Sequence, residues 1–209
     1  MKLKGLYAIT PDLADTDELL RRAGQALLGG VHLVQYRNKR AAAALRREQA
    51  AALLAACRRH GARLVINDDL ALALDIGADG AHLGREDGDL AAARAALGPG
   101  KLLGISCYDE MERAREAGRI GADYIAFGSF FASPTKPAAV RAPLTLLAEA
   151  RNELGLPVCA IGGITLQNAP QLIAAGTDLL AVITDLFEAP DIQARAASYN
   201  QLFSERVTS

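Results

Sequence analysis

The chain has 209 residues, 51% hydrophobic and 22% charged, with a formal net charge of −1. This length suits one domain, and the composition is that of a packed globular protein and argues against a disordered one. Near-zero charge argues against a general basic field for nucleic acid or an anionic membrane, and the scattered Cys57, Cys107 and Cys159 against a disulfide framework or zinc site.

Along the chain, short β-branched and aliphatic runs alternate with longer Ala/Leu-rich amphipathic segments, the pattern of β-α units around a parallel sheet. Strands are predicted at 6–10 (LYAIT), 32–37 (HLVQYR), 63–68 (RLVIND) and 80–84 (GAHLG). Four more follow at 102–106 (LLGIS), 124–128 (YIAFG), 157–162 (PVCAIG) and 179–184 (LLAVIT). An internal repeat supports the count: IGADGAHLG, IGADYIAFG and AAGTDLLAVI share a Gly, a small residue, an Asp and then a strand, with a looser copy at Gly30. Gly77, Gly121 and Gly176 are expected to end helices in the left-handed conformation. Eight such units predict one α/β domain over 1–209, a (β/α)8 TIM barrel with its ligands at the carboxyl ends of the strands. The competing fold is a doubly wound open sheet, but Thr10, Pro11 and Asp12 stand where its Gly-rich fingerprint would lie.

The N-terminal segment MKLKGLYAITPD has too short an apolar stretch for a secretory signal, and no later run reaches the ~18 residues of a membrane span. A cytoplasmic protein is expected. At the second strand, alternation puts Leu33, Gln35 and Arg37 on the inner face, with Lys39 joining them at the mouth. A Gln with two converging cations suits a polyphosphate and a hydrogen-bonding ring, although these residues also suit a polar helix entry. The arginines that follow (Arg46, Arg47, Arg58, Arg59, Arg63) read as a solvated helix face.

The third strand ends in Asn67, Asp68 and Asp69. Asp69 is expected to cap the next helix, whereas Asp68 and Asp87 end neighbouring strands that lie ~4.8 Å apart in a parallel sheet. Paired carboxylates call for a cation between them, and magnesium completed by substrate phosphate oxygens fits. Glu86 competes with Asp87 for this place, and Asp87 also suits a helix cap. Ser106 ends the fifth strand, and the sixth leads into SFFASPTKPAA, where Ser133 and Thr135 offer hydroxyls, Lys136 a cation, and Pro134 and Pro137 limit freedom. The seventh ends in Gly162 and Gly163 and the eighth in Ile183, Thr184 and Asp185, at the strands where barrels often bind a monophosphate. His32, His60 and His82 are read as structural, and no nucleophile–base pair is evident.

The ordered set LYAITPD, VQYRNK, LVINDD, HLGRED, GISC, SPTKP, AIGGI and LLAVIT resembles the thiamine-phosphate synthase family over essentially the whole barrel. The resemblance implies a magnesium-dependent transferase joining 4-amino-2-methyl-5-(diphosphooxymethyl)pyrimidine to a thiazole phosphate by dissociative loss of diphosphate. It assigns Gln35, Arg37, Lys39, Asn67, Ser106 and Lys136 to the pyrimidine diphosphate, with Lys136, Ser106 and Arg37 catalytic. Ser133, Pro134, Thr135, Gly163, Ile183 and Thr184 would hold the thiazole phosphate, and Asp68 and Asp87 the metal. The sequence departs from the family pattern at Ser133, Asn38, Thr184 and the GSFFAS run. Partners are expected to be small-molecule substrates, with no nucleic acid or membrane, and self-association is left open. A thiazole tautomerase-like paralogue and a non-catalytic ligand sensor on the same barrel are the rival readings.

Overall fold

The computed structural model describes residues 3–132 and 141–204. Eight parallel strands close into a barrel in sequence order: β1 (Gly5–Ile9), β2 (Leu33–Tyr36), β3 (Arg63–Asn67), β4 (Gly80–Leu83), β5 (Leu102–Tyr108), β6 (Tyr124–Phe127), β7 (Val158–Ile161) and β8 (Leu179–Val182). The expected fold and all eight strands are borne out, with ends shifted by one or two residues. Helices fill the connections: α1 (Thr16–Leu28), α2 (Ala43–Arg59), α3 (Leu70–Asp75), α4 (Leu90–Leu97), α5 (Met111–Arg119), α6 (Thr145–Leu154) and α7 (Ala169–Ala174). After β8 come the short α8 (Thr184–Phe187) and then α9 (Ile192–Ser204). No helix among the described residues is long and apolar enough to cross a membrane.

Strand alternation sorts the apolar side chains into two separate cores. Leu6, Ala8, Val34, Leu64, Ile66, Leu103 and Ile105 face outward and pack under the helices, while Tyr7, Ile9, Leu33, Val65, Leu102 and Tyr124 fill the barrel interior. Fully burying a Leu, Val or Ile contributes ~1.5–3 kcal/mol, so the larger outer cluster is the main source of stability. All three cysteines are buried and free, and burial pushes the Cys57 and Cys107 thiols up to about 12. They are packing residues, as expected. On α2, Arg46 and Arg47 reach the carboxylates Asp69 and Asp75 on the neighbouring connection.

The repeat has a physical cause at the base of the barrel. Gly77, Gly121 and Gly176 have φ of +67°, +81° and +111°, turning each helix into the next strand. The Asp that follows reaches sideways to an amide at the start of the preceding strand. Asp79 accepts from Leu64 N at 2.8 Å, Asp123 from Leu103 N at 2.7 Å, and Asp178 from Val158 N at 3.1 Å. These amides belong to fully buried residues at the sheet's lower rim, where an N–H without a partner would be costly. In the looser copy, the exposed His32 stands at the Asp position, and the matching amide, Leu6 N, is met instead by Asn200 Oδ1 of α9 at 3.3 Å. Asn200 also donates to the carbonyls of Gly29 and Gly30, at 3.2 and 3.0 Å, which ties α9 to the turn before β2.

Candidate active site

At the carboxyl end of the strands, the barrel opens into a cavity of about 850 Å³. Its wall includes Gln35, Arg37, Lys39, Asn67, Asp68 and Asp87 on the side of β2 to β4, and Ser106 on β5. Gly163, Ile183 and Thr184 line the side of β7 and β8. Of the residues expected at the site, only Ser133, Pro134, Thr135 and Lys136 cannot be placed, because they lie outside the described residues.

The charged wall is built from the ends of β1 to β4. Asp12, just beyond β1, accepts from Arg37 Nη1 at 2.9 Å and from the backbone N–H of Lys39 at 3.0 Å. Thr10 Oγ1 accepts from Arg37 N at 2.9 Å and donates to Arg37 O at 3.0 Å, fixing the backbone from which that guanidinium extends. Lys39 Nζ lies 3.0 Å from Asp68 Oδ2, and Asp87 Oδ2 accepts from Gly84 N at 2.6 Å.

The two carboxylates titrate against one another. Burial alone would lift the Asp68 carboxyl, but the Lys39 ammonium, helped by Asp87 and Asn67, holds it below the ordinary value. Burial and the negative charge of Asp68 push Asp87 up, against the pull of the Gly84 N–H. Asp68 also has φ +60°, a left-handed conformation that a side-chain-bearing residue enters only at a cost. Two adjacent carboxylates sharing one lysine form a donor set that a hard divalent cation fits. No group of three or more His, Cys, Asp or Glu able to hold a metal is present among the described residues, so other oxygens would complete its shell.

Polar side chains also cross the barrel interior below the cavity. Ser106 Oγ is 2.8 Å from His82 Nε2, and His82 Nδ1 is 3.0 Å from the Tyr124 hydroxyl. The Tyr124 and Tyr7 hydroxyls are 2.7 Å apart, and Gln35 Nε2 donates to Tyr7 at 2.7 Å. Gly104 makes room for this chain. It is in register with both His82 and Tyr124, and a β-carbon there would overlap the Tyr124 ring.

The opposite wall is nearly neutral. Gly162 and Gly163 have φ of +103° and +60°, and a β-carbon on either would overlap Ser129 or the Ala132 carbonyl. The paired glycines therefore serve the packing of the β6 and β7 loops as well as leaving backbone open to the cavity. Thr184 and Ile183 sit where β8 turns into α8, which is tied to α9 through Asp185, an acceptor from Tyr199 Oη at 2.7 Å and Arg195 Nη1 at 2.8 Å.

Several open readings are resolved. Asp69 caps α3 by accepting from Leu72 N at 2.9 Å, and Asp89, not Asp87, caps α4 by accepting from Ala92 N at 2.7 Å. Asp87 is thus left to the cavity, which Glu86 also lines. Ser106 lies inside β5, which runs on to Tyr108. Asn38 is buried and donates from Nδ2 to Leu13 O at 2.7 Å and Gln49 Oε1 at 3.0 Å, a task that an acid could not perform.

Sequence reasoning missed Asp12, Tyr7, Tyr124 and His82 as site residues. The signal for His82 was parity, since it pairs with Asn67 across β3 and β4 and so points inward with it. His32 and His60 are exposed, as befits residues outside the site.

A sequence model of a family described as thiamine monophosphate synthase matches residues 6–186. The chain is 57% identical to a thiamine-phosphate synthase of Aromatoleum aromaticum, covering 97% of each chain. It is 55% identical to one from Azoarcus sp., covering 97% of this chain and 98% of the relative. Among solved structures, it resembles a thiamine phosphate pyrophosphorylase from Pyrococcus furiosus with a TM-score of 0.84 and 32% identity, over 97% of this chain and 96% of that one.

Proposed function

The chain belongs to the thiamine monophosphate synthase family and is a transferase, and from that footing we propose that it joins an aminopyrimidine methyl diphosphate to a thiazole phosphate with the help of magnesium. The observation that carries this reading is the convergence of Gln35, Arg37, Lys39, Asn67, Ser106 and the Asp68–Asp87 pair on one cavity, opposite Gly163, Ile183 and Thr184. One wall is charged and metal-competent, the other neutral and rich in exposed backbone, as two different phosphorylated substrates require.

In this reading, Gln35, Asn67 and Ser106 orient the pyrimidine ring, while Arg37 and Lys39, joined by Lys136 on sequence grounds, hold the diphosphate. Asp68 and Asp87 hold the divalent cation, which, when bound, neutralises charge on the departing diphosphate. Gly163, Ile183 and Thr184, with Ser133, Pro134 and Thr135 on sequence grounds, seat the thiazole phosphate. The C–O bond to diphosphate breaks with its electron pair leaving on oxygen, and the thiazole nitrogen lone pair then forms the C–N bond. No protein nucleophile is needed. Arg37, Ser106 and Lys136 act by stabilising charge and by holding the reactants in line.

Purified protein with both substrates and magnesium is expected to form thiamine phosphate, read by mass spectrometry. Chelation, Asp68→Ala or Lys136→Ala is expected to nearly abolish the product. Isomerisation of the thiazole phosphate alone would move the assignment to a tautomerase, and tight binding with neither reaction would move it to a ligand sensor.

A further inference from the structure

The polar chain beneath the cavity has a direction. Gln35 Nε2 donates to Tyr7. A phenol has one hydrogen, so Tyr7, already accepting, donates to Tyr124 at 2.7 Å. Tyr124 in turn donates to His82 Nδ1 at 3.0 Å. A neutral imidazole that accepts at Nδ1 carries its proton on Nε2, which meets Ser106 Oγ at 2.8 Å. Burial pushes the Tyr7 and Tyr124 phenols well above their ordinary range, so both hydroxyls keep their protons.

Both ends of the chain reach the cavity. With its nitrogen committed to Tyr7, Gln35 turns its amide oxygen, an acceptor, to the ligand. Ser106, already accepting from His82, has its own hydrogen left to donate. β2 and β5 lie three strands apart in the closed barrel of eight, so the acceptor and the donor reach the cavity from well-separated points on its wall. A 4-aminopyrimidine offers the complement, an amino hydrogen at position 4 and a ring-nitrogen lone pair on the far side at position 1. A 4-oxo ring would set its carbonyl against the Gln35 oxygen. To receive it, Gln35 must flip, which requires every hydrogen in the chain to reverse and His82 to change tautomer.

Resting on the substrate class proposed above, we infer that the buried chain Gln35–Tyr7–Tyr124–His82–Ser106 is a positioning device that selects an amino over an oxo pyrimidine, with His82 locked in its Nε2-protonated form. Gly104 is part of the device, since its missing side chain lets Tyr124 reach His82.

Two measurements test this. The first compares kcat/KM for thiamine phosphate formation from the 4-amino and 4-oxo pyrimidine methyl diphosphates in the wild type, Tyr124→Phe and Gly104→Ala. The wild type is expected to favour the amino substrate by at least about a thousandfold, and each variant by about tenfold or less. A wild-type ratio near one, or equal losses on both substrates with the ratio unchanged, overturns the inference. The second is the tautomer of His82 in the full wild-type chain, read from two-bond proton–nitrogen NMR correlations, which are simple to assign with 3 histidines. An Nε2-bound proton supports the inference, and an Nδ1-bound proton overturns it. If the wild type forms no thiamine phosphate from either substrate, the proposed reaction falls, while the tautomer still decides the direction of the chain.

Discussion

Lys39 Nζ and Asp68 Oδ2 are 3.0 Å apart at the mouth of the barrel, so a cation assigned to the diphosphate rests on a carboxylate assigned to the metal. Each partner must be released before both can serve. Lys39→Ala is therefore expected to act in opposite directions on the two ligands. The KM for the pyrimidine diphosphate should rise by roughly tenfold through loss of a charged hydrogen bond. Magnesium alone should bind the substrate-free variant more tightly, since it no longer displaces an ammonium. Steady-state kinetics and calorimetric titration check the pair of effects, and parallel weakening of both would show that Lys39 does not guard Asp68.

Asp68 occupies the left-handed region at φ +60°. Strain of this kind is kept where function requires the side chain. Asp68→Gly is expected to unfold no earlier than the wild type on heating, with a gain of up to about 1 kcal/mol as relief of strain is offset by the freedom of glycine in the unfolded chain. Activity should fall at least about a hundredfold. A clear drop in thermal stability would mean that the carboxylate holds the loop together.

Gly163 at φ +60° lies against the Ala132 carbonyl, with no room for a β-carbon. Gly163→Ala should cost about 1–3 kcal/mol of stability through overpacking, and should raise the KM for the thiazole phosphate more than that for the pyrimidine diphosphate. Thermal melts and kinetics with each substrate varied in turn would test this.

The guanidiniums of Arg21 and Arg22, both at 2.6 Å, hold Glu18 at about 2 instead of 4.5. A carboxyl depressed on folding stabilises the native state above its unfolded value, and that contribution is lost as pH falls toward the folded one. The melting-temperature difference between the wild type and Glu18→Gln should thus be full well above pH 4.5, shrink as pH falls toward about 2, and disappear only below it. Circular dichroism melts across this range would reveal a difference that persists into acid if the pairing were not the cause.

The barrel and its mouth were legible in the sequence because strand period and strand end are local signals. VQYRNK announced Gln35 and Arg37 by parity, and NDD with GRED placed two carboxylates on neighbouring strands. What could not be read depends on contacts across the barrel. His82 looks like one more strand residue until Gly104 is known to admit Tyr124 beside it, and Tyr7 and Tyr124 look like ordinary apolar filling. Asp12 was noted only for what it was not, a glycine fingerprint, because its grip on Arg37 depends on pairing between β1 and β2. The Asp of the repeat was visible as a pattern, but its bond to the preceding strand was not, since that bond runs sideways around the base.

The exception in that repeat sets an order of events. Three of the four lower-rim amides are met by an Asp from the very next strand, within 20 positions, but Leu6 waits for Asn200, 194 positions later. During synthesis the first strand is an unfinished edge, available for wrong pairing, until β8 pairs with it, and its lower-rim amide is met only when α9 then docks. Tyr7 travels on that strand, so the floor of the cavity is settled only when the barrel closes. A nascent chain that has not yet made β8 is expected to be incomplete both as a barrel and as a catalyst.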